Sequence, residues 1–324
     1  MRKNSGSAII AVVVFVLLAV ALVAVVIKVK MPVSTNSQVQ PQVSLATTLP
    51  TATTTASPTP TPSPTPTLSP SPTPTPTKSP TPKPTATPIP VSTGPAGSGY
   101  SVKRVHTANG DFTVYIIGAD LGSTKVIVDT ASTSDCANNC PVLSLGEYVA
   151  RNGAYAGVNG GYFCPATYDS CAGKTNSFDT LLMNKDKYYF NSANNVYSTN
   201  PAVIFQGGSI RFVRAAQEWG RDTGVDGVLS NYPMLVFNGS NLNPGGDSKM
   251  TSKGNRSFVA NRGSMVFIGT VMNATVNDSA AALTVLQMDN ALNLDSGGST
   301  ALWSGGYKLG PGRGLPNVIL FKTK

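Results

Sequence analysis

Two glycine-rich turns are where this chain could do chemistry. Asn159-Gly160-Gly161 follows the apolar run Ala156-Gly157-Val158, and Asp295-Ser296-Gly297-Gly298-Ser299-Thr300 follows Ala291 to Leu294. A polar residue at a strand end, with glycines after it, lets a ligand approach the backbone closely and offers N–H groups to an anion. The same pattern also makes a tight turn with a polar cap. Neither turn leads into Gly-Lys-Ser/Thr, so neither is a P-loop, and neither opens the helix of a βαβ dinucleotide unit. Asp295 offers a carboxylate. Arg256, placed by the following apolar stretch at a strand edge, and Arg313, in a Gly/Pro-rich loop, offer guanidinium groups suited to phosphate. Solvent is the ordinary place for either arginine. The single histidine, His106, sits beside the Asn109-Gly110 turn and reads as a surface residue. One histidine rules out HExxH-type zinc sites, and no Gly-x-Ser-x-Gly elbow exists for a catalytic triad.

The chain has 324 residues, with 24 Lys+Arg against 15 Asp+Glu and a formal charge of +9. Six of the 24 bases lie before residue 99 and every acid lies at or after Asp111, leaving 18 bases against 15 acids in the remainder. Nucleic-acid binding needs Lys and Arg clustered on one face, and this near balance argues against that partner. Ala8 to Ile27 is an unbroken apolar run of 20 residues with basic flanks. About 20 such residues span a bilayer core of about 30 Å, whereas a cleaved signal peptide has a shorter apolar region. Residues 1–30 are therefore expected to be an uncleaved membrane anchor with the N-terminus inside. Residues 31–98 hold 18 of the 25 prolines and two charges, Lys78 and Lys83. With no apolar face to repay ordering, they read as a disordered Pro/Thr/Ser-rich stalk. Outside the cell, Cys136, Cys140, Cys164 and Cys171 read as two disulfides, since their gaps are looser than structural zinc sites use. Four cysteines allow three connectivities. The local one, Cys136–Cys140 with Cys164–Cys171, is the expectation.

Residues 99–324 must position these groups. Val102 to His106 and Phe112 to Ile117, joined at Asn109-Gly110, read as a hairpin, and Val126 to Val128 continues the sheet. Ser144-Leu145-Gly146-Glu147 is a capping-box pattern opening a helix that stops at Asn152-Gly153. Tyr155 to Val158 reads as a strand, and Val203 to Phe205 with Ile210 to Val213 as a second hairpin. After the strand Met265 to Val271, Asp278 or Ser279 caps a second helix reaching about Met288. Ala291 to Asp295, Leu302 to Tyr307 and Val318 to Phe321 complete the strands. The fold class predicted is α+β, one mixed sheet with few helices.

Five segments occur in an order that resembles phosphodiester glycosidase domains. They are Asn159-Gly160-Gly161-Tyr162-Phe163, Asn231-Tyr232-Pro233-Met234-Leu235-Val236 with Gly239, Arg256-Ser257, Asn293-Leu294-Asp295-Ser296-Gly297-Gly298-Ser299-Thr300, and Arg313 with Asn317. The resemblance covers about residues 99–324. This family's activity is removal of N-acetylglucosamine from a phosphodiester link to mannose, and its bacterial members are associated with exopolysaccharide. It usually has Pro-Arg-Thr-Ala where this chain has Asn255-Arg256-Ser257-Phe258, and Leu-Asp-Gly-Gly-Gly-Ser where this chain has Ser296 in the first glycine slot. Phe258 and Ser296 are expected to reshape the pocket.

The resemblance implies Asp295, Arg256 and Asn159 as catalytic residues and Gly160, Gly161, Gly297, Gly298, Ser299, Thr300 and Arg313 as substrate-binding. Asp295 would act as nucleophile or base, Arg256 and the N–H groups of Gly297, Gly298 and Ser299 would hold phosphate, and Asn159 would bond the sugar. A second carboxylate is expected, for which Asp179, Asp129 and Asp135 are all available. The scheme needs no cofactor or metal and leaves an oxygen-lined Ca²⁺ site open. The partners implied are a carbohydrate or sugar-phosphate substrate in cell-wall or surface polysaccharide, and the membrane through the N-terminal helix. The rival reading is a non-catalytic wall- or polysaccharide-binding module displayed on the stalk. The anchor reading is checked by treating intact cells with protease, which is expected to release a soluble domain; protection until lysis would reverse the orientation.

Overall fold

The computed structural model describes residues 96–191 and 198–324. The anchor expected over residues 1–30, and nearly all of the stalk expected over 31–98, lie outside the described residues. Among those described, no helix is long and apolar enough to cross a membrane.

The mostly-sheet domain with few helices is as the sequence predicts, but its strands divide among sheets of seven, five and five rather than forming one. Twisted open sheets rarely exceed about ten strands without splitting. The first sheet starts with the predicted hairpin, Gly99–Thr107 against Gly110–Asp120, where Gly110 takes the turn at φ 127°. It continues through Met265–Ala274, Gly254–Arg262, Asn290–Ser296, Met234–Phe237 and Ser240–Asn241. The second sheet runs Tyr307–Leu309, Leu302–Ser304, Ala156–Asn159, Asn317–Thr323, Thr124–Thr130. Thr124–Thr130 thus leaves the opening hairpin instead of extending its sheet. The third sheet runs Tyr189–Phe190, Leu182–Met183, Gly227–Ser230, Ala202–Gln206, Ser209–Val213, and contains the second predicted hairpin.

Alternation along the strands divides the apolar residues between cores. Ile117 and Ala119 enter a cluster shared with Val158 and Ile319 of the second sheet and Leu182 and Leu229 of the third. Val114 and Ile116 point the other way, into a cluster with Leu283. Leu283 lies on helix α3 (Val276–Val285), which follows α1 (Leu145–Asn152) and the one-turn α2 (Ser248–Thr251). Helix α1 has the predicted capping box at Ser144 and Glu147 and ends at Gly153 with φ 58°. The cap of α3 lies earlier than predicted. Thr275 is the N-cap and Asp278 the reciprocal acceptor three residues on, with both bonds at 3.0 Å. Met265–Ala274 and Asn290–Ser296 both pair antiparallel with Gly254–Arg262, so they run parallel to each other and α3 joins them in a split β–α–β unit. Arg256 therefore lies in a central strand, not at an edge. The single strand predicted over 302–307 is a hairpin turning at Gly305-Gly306, both at positive φ.

The disulfides are Cys136–Cys140 and Cys164–Cys171, with Cα separations of 5.7 and 5.3 Å, in the local pairing expected. Loops this short stabilise by about 2–2.5 kcal/mol each in the chain-entropy model. Replacing Cys164 and Cys171 by serine is expected to lower the melting temperature by about 5–8 °C while the protein still folds, measured by thermal denaturation. Loss of folding altogether would show that the bridge does more than close its loop.

Candidate active site

Asp295 stands one residue from the end of Asn290–Ser296, and the strand beside it is out of step there. Arg256 pairs with Ser296 and Phe258 with Asn293, so two residues, Leu294 and Asp295, face one. Such a bulge re-aims a side chain. The backbone of Asp295 is held on both sides. Its N–H donates to the Gly160 carbonyl (2.9 Å), and its carbonyl accepts from Asn159 Nδ2 (2.7 Å). Its Oδ1 accepts from the Ser296 N–H (2.8 Å), and the Ser299 side chain also bonds the carboxyl. Burial pushes the acid up to about 6; the bonds from Ser299 and Ser296 and the charge of Arg313 oppose the rise, and Asp179 adds to it.

The carboxyl opens into a cleft of about 520 Å³. Three tyrosines line it. Tyr162 and Tyr232 meet edge to face at 4.9 Å, and the Tyr162 hydroxyl accepts from Asn293 Nδ2 (2.7 Å). Burial, then the Asp295 charge, raises the Tyr162 phenol well above its ordinary value, so it stays neutral. Tyr168 lies between two cations, Lys249 Nζ 4.5 Å and Arg313 Cζ 5.6 Å from its ring centre. Lys253 and Arg256 add positive charge to the lining, and Asp179 and Asp247 negative charge. Asp179 is exposed as a residue, yet protein packed round its carboxyl raises its pKa, against the pull of Lys174 and Lys249.

Of the residues expected to form the site, Asp295, Arg256, Gly297, Gly298, Ser299 and Arg313 come together in this cleft. Gly298 makes room for Arg313, whose Nη2 would lie 2.2 Å from a Cβ there. Asn159, Gly160, Gly161 and Thr300 do not line it. Asn159 is fully buried, its amide donating to Asp295 and its Oδ1 accepting from Ser257 Oγ (2.9 Å) and the Ala301 N–H (3.2 Å). The N–H groups of Gly160 and Gly161 go to Asn317, at its carbonyl (3.0 Å) and its Oδ1 (2.7 Å). A Cβ on Gly160 would sit 1.8 Å from that same Oδ1, so glycine is required by packing. Thr300 is buried, its hydroxyl 3.4 Å from the Asn255 carbonyl. Phe258 is also away from the cleft, in the core over a space left by Gly269, whereas Ser296 does line it.

Among the three carboxylates available in sequence, Asp179 alone reaches the cleft. Asp129 is buried against Arg151 (2.7 Å), and Asp135 accepts from the backbone of Cys136 and Asn191. His106 pairs with Asp111 on the exposed hairpin. Among the described residues no three His, Cys, Asp or Glu side chains gather as metal ligands would. Tyr168, Asp247, Lys249 and Lys253 were not legible as site residues, because none belongs to a recognisable motif: Tyr168 and Lys253 sit in loops, and Asp247 and Lys249 at the start of the one-turn α2.

The family model for phosphodiester glycosidase matches residues 152–322. Among solved structures, the zebrafish N-acetylglucosamine-1-phosphodiester alpha-N-acetylglucosaminidase catalytic domain superposes with a TM-score of 0.56 at 16% identity, covering 70% of this chain and 83% of that one. A hypothetical protein from Synechocystis superposes with a TM-score of 0.50 at 12% identity, over 70% of this chain; the match spans 64% of that protein's length. At these identities the superpositions speak for the fold. No curated protein matches the sequence.

The raised Asp295 acid has a consequence for stability. The folded protein keeps a proton up to about pH 6 that the unfolded chain, at about 3.8, has already lost. Its favourable contribution is therefore complete below pH 4 and disappears as the pH rises through 6. Asp295→Asn is expected to stabilise the protein by about 2–3 kcal/mol at pH 7.5 and by little at pH 4, read by urea unfolding at the two pH values. Equal stabilisation at both would mean that the carboxyl is not desolvated.

Proposed function

The chain belongs to the phosphodiester glycosidase family, and on that premise we propose that its cleft hydrolyses a sugar-1-phosphodiester of surface polysaccharide or glycoconjugate. N-acetylglucosamine, the sugar in the zebrafish enzyme's name, is the first to test. The observation that carries this reading is a desolvated carboxyl, Asp295, in one cleft with Lys249, Lys253 and Arg313. Asp179 and Asp247 also line the cleft, but a phosphodiester offers these cations a formal charge and acceptor oxygens that a neutral glycoside lacks.

The geometry supports the following division of labour. A phosphate monoester leaves an anomeric carbon with little need of a proton, so the demand falls on the developing oxocarbenium ion. Ionised Asp295 attacks that carbon or takes the proton of an attacking water. Asp179, at the mouth, is the second carboxylate. Arg313, with Lys249 and Lys253, draws the phosphate oxygens toward Gly297 to Ser299, while Tyr162 and Tyr232 offer faces to the sugar. Asn159, Gly160 and Asn317 act from behind, holding Asp295 in place. The anchor and stalk read in the sequence would hold this cleft at the cell surface.

Either role for Asp295 needs the carboxylate. The rate is therefore expected to fall as pH drops through about 6, where Asp295 takes up its proton. Against a panel of sugar-1-phosphodiesters, wild-type protein is expected to turn over at least one, and Asp295→Asn to lose about 10³-fold or more in kcat. His106→Ala is the unaffected control. Full activity in Asp295→Asn would remove it from the mechanism, and wall-polymer binding without any turnover would favour the display module.

A further inference from the structure

Arg256 lines the cleft, but most of its guanidinium is turned away to the protein's own backbone. The residue is 7% exposed. Its Nε donates to the Ala274 carbonyl (3.0 Å), at the end of the neighbouring strand. Its Nη2 donates to the carbonyls of Lys249 (2.7 Å) and Ser252 and, at longer range, of Met250 (3.4 Å). Three of these four acceptors belong to α2 and the residue after it, where a helix leaves its last carbonyls without partners.

Besides Arg256, the segment is held by Lys249 Nζ over the Tyr168 ring (4.5 Å) and by its own short-range bonds. Asp247 caps the front of α2, its Oδ1 accepting from the N–H groups of Lys249 (2.9 Å) and Met250 (3.0 Å). Met250 packs, partly buried, against the core beneath α3. Residues 247–249 and 251–253 are exposed. Yet this strap carries Asp247, Lys249 and Lys253 into the lining of the cleft. An arginine can gather carbonyls lying in different directions because its donors are spread over a rigid planar fork; a lysine ammonium is a single point.

We infer that Arg256 is a positioning residue: it fastens the 247–253 strap along the cleft and thereby sets Lys249 and Lys253 as the groups that meet the substrate's anion. The identity of that anion rests on the phosphodiester reading; the fastening does not. Substitution of Arg256 then acts through the two lysines, and anionic substrates suffer although no guanidinium contact to phosphate has been removed.

Two measurements on the purified protein test this. The first is limited trypsin digestion with the cuts mapped by mass spectrometry. Arg256→Ala is expected to raise cleavage after Lys249 and Lys253 about tenfold or more, since cleavage follows the population of the open strap. Arg256→Lys should fall between it and wild type, and it carries the test if the alanine variant is cut throughout. The second is calorimetric binding of N-acetylglucosamine-1-phosphate. Lys249→Ala with Lys253→Ala should weaken it about tenfold or more, and adding Arg256→Ala should weaken it little further, because coupled residues are not additive. A strap as resistant as wild type in both Arg256 variants would overturn the inference. So would an Arg256 loss that multiplies undiminished onto the lysine loss, since the guanidinium would then touch the anion itself. If wild-type protein turns over no phosphodiester, the proposed function fails while the trypsin result still decides the fastening.

Discussion

Three sheets meet at this site, and where strands end their backbone groups run out of ladder partners. Four buried asparagines supply what is missing. Asn159, at the end of its strand in the second sheet, bonds the Asp295 carbonyl of the first. Asn231, just past a third-sheet strand, accepts from the Tyr162 N–H (3.0 Å) and donates to the Asn293 carbonyl (2.8 Å). Asn293 reaches the Tyr162 hydroxyl and the Tyr232 carbonyl, and Asn317 takes the N–H of Gly161. An amide side chain suits this duty because it carries donors and an acceptor together, and Asn159 and Asn231 use both. A buried backbone group left unpaired costs about 1–3 kcal/mol. Removing one asparagine would therefore loosen a junction between sheets, not a single bond.

The rest of the site follows from that weld. Asp295 is fixed through its own backbone by the Asn159-Gly160 turn, Ser296 and Ser299 bond its carboxyl at the floor of the cleft, and burial raises its acid to about 6. A charge so placed is a cost to the fold that catalysis can use. Around this rigid floor the rim is made of loops. The disulfide loop 164–171 presents Tyr168, the strap presents Lys249 and Lys253, and the loop after Gly310-Pro311 presents Arg313. Floor and rim thus divide the work: strand ends and asparagines hold the buried Asp295 carboxyl, and exposed loops set the charge around the cleft. Two of the departures from the family pattern fall on opposite sides of this division. Phe258 fills the core beneath the floor, and Ser296 places a hydroxyl group in the cleft itself.

What the sequence by itself determined is local or repeated along the chain. The Asn109-Gly110 hairpin, the Ser144/Glu147 capping box and the short-range disulfides depend on residues a few positions apart, whose backbone preferences act before any tertiary contact forms. The two glycine turns were legible too, as turns at strand ends. Their roles were not. The spacing that suggested Asn159, Gly160 and Gly161 as ligand contacts is equally the spacing of a buried turn, and only packing against Asn317 and Asp295 separates the two. Arg256 read as a phosphate contact or a solvent-exposed residue, and its bonds to carbonyls of α2 and the residue after it emerged only from the tertiary structure. The partition of the strands into three sheets, the choice of Asp179 over Asp129 and Asp135, and the entry of Lys249 and Lys253 into the cleft were decided by tertiary structure alone. Each depends on which segments far apart in the chain come to share a boundary, and that is set by how the apolar faces of the three sheets close on a common core.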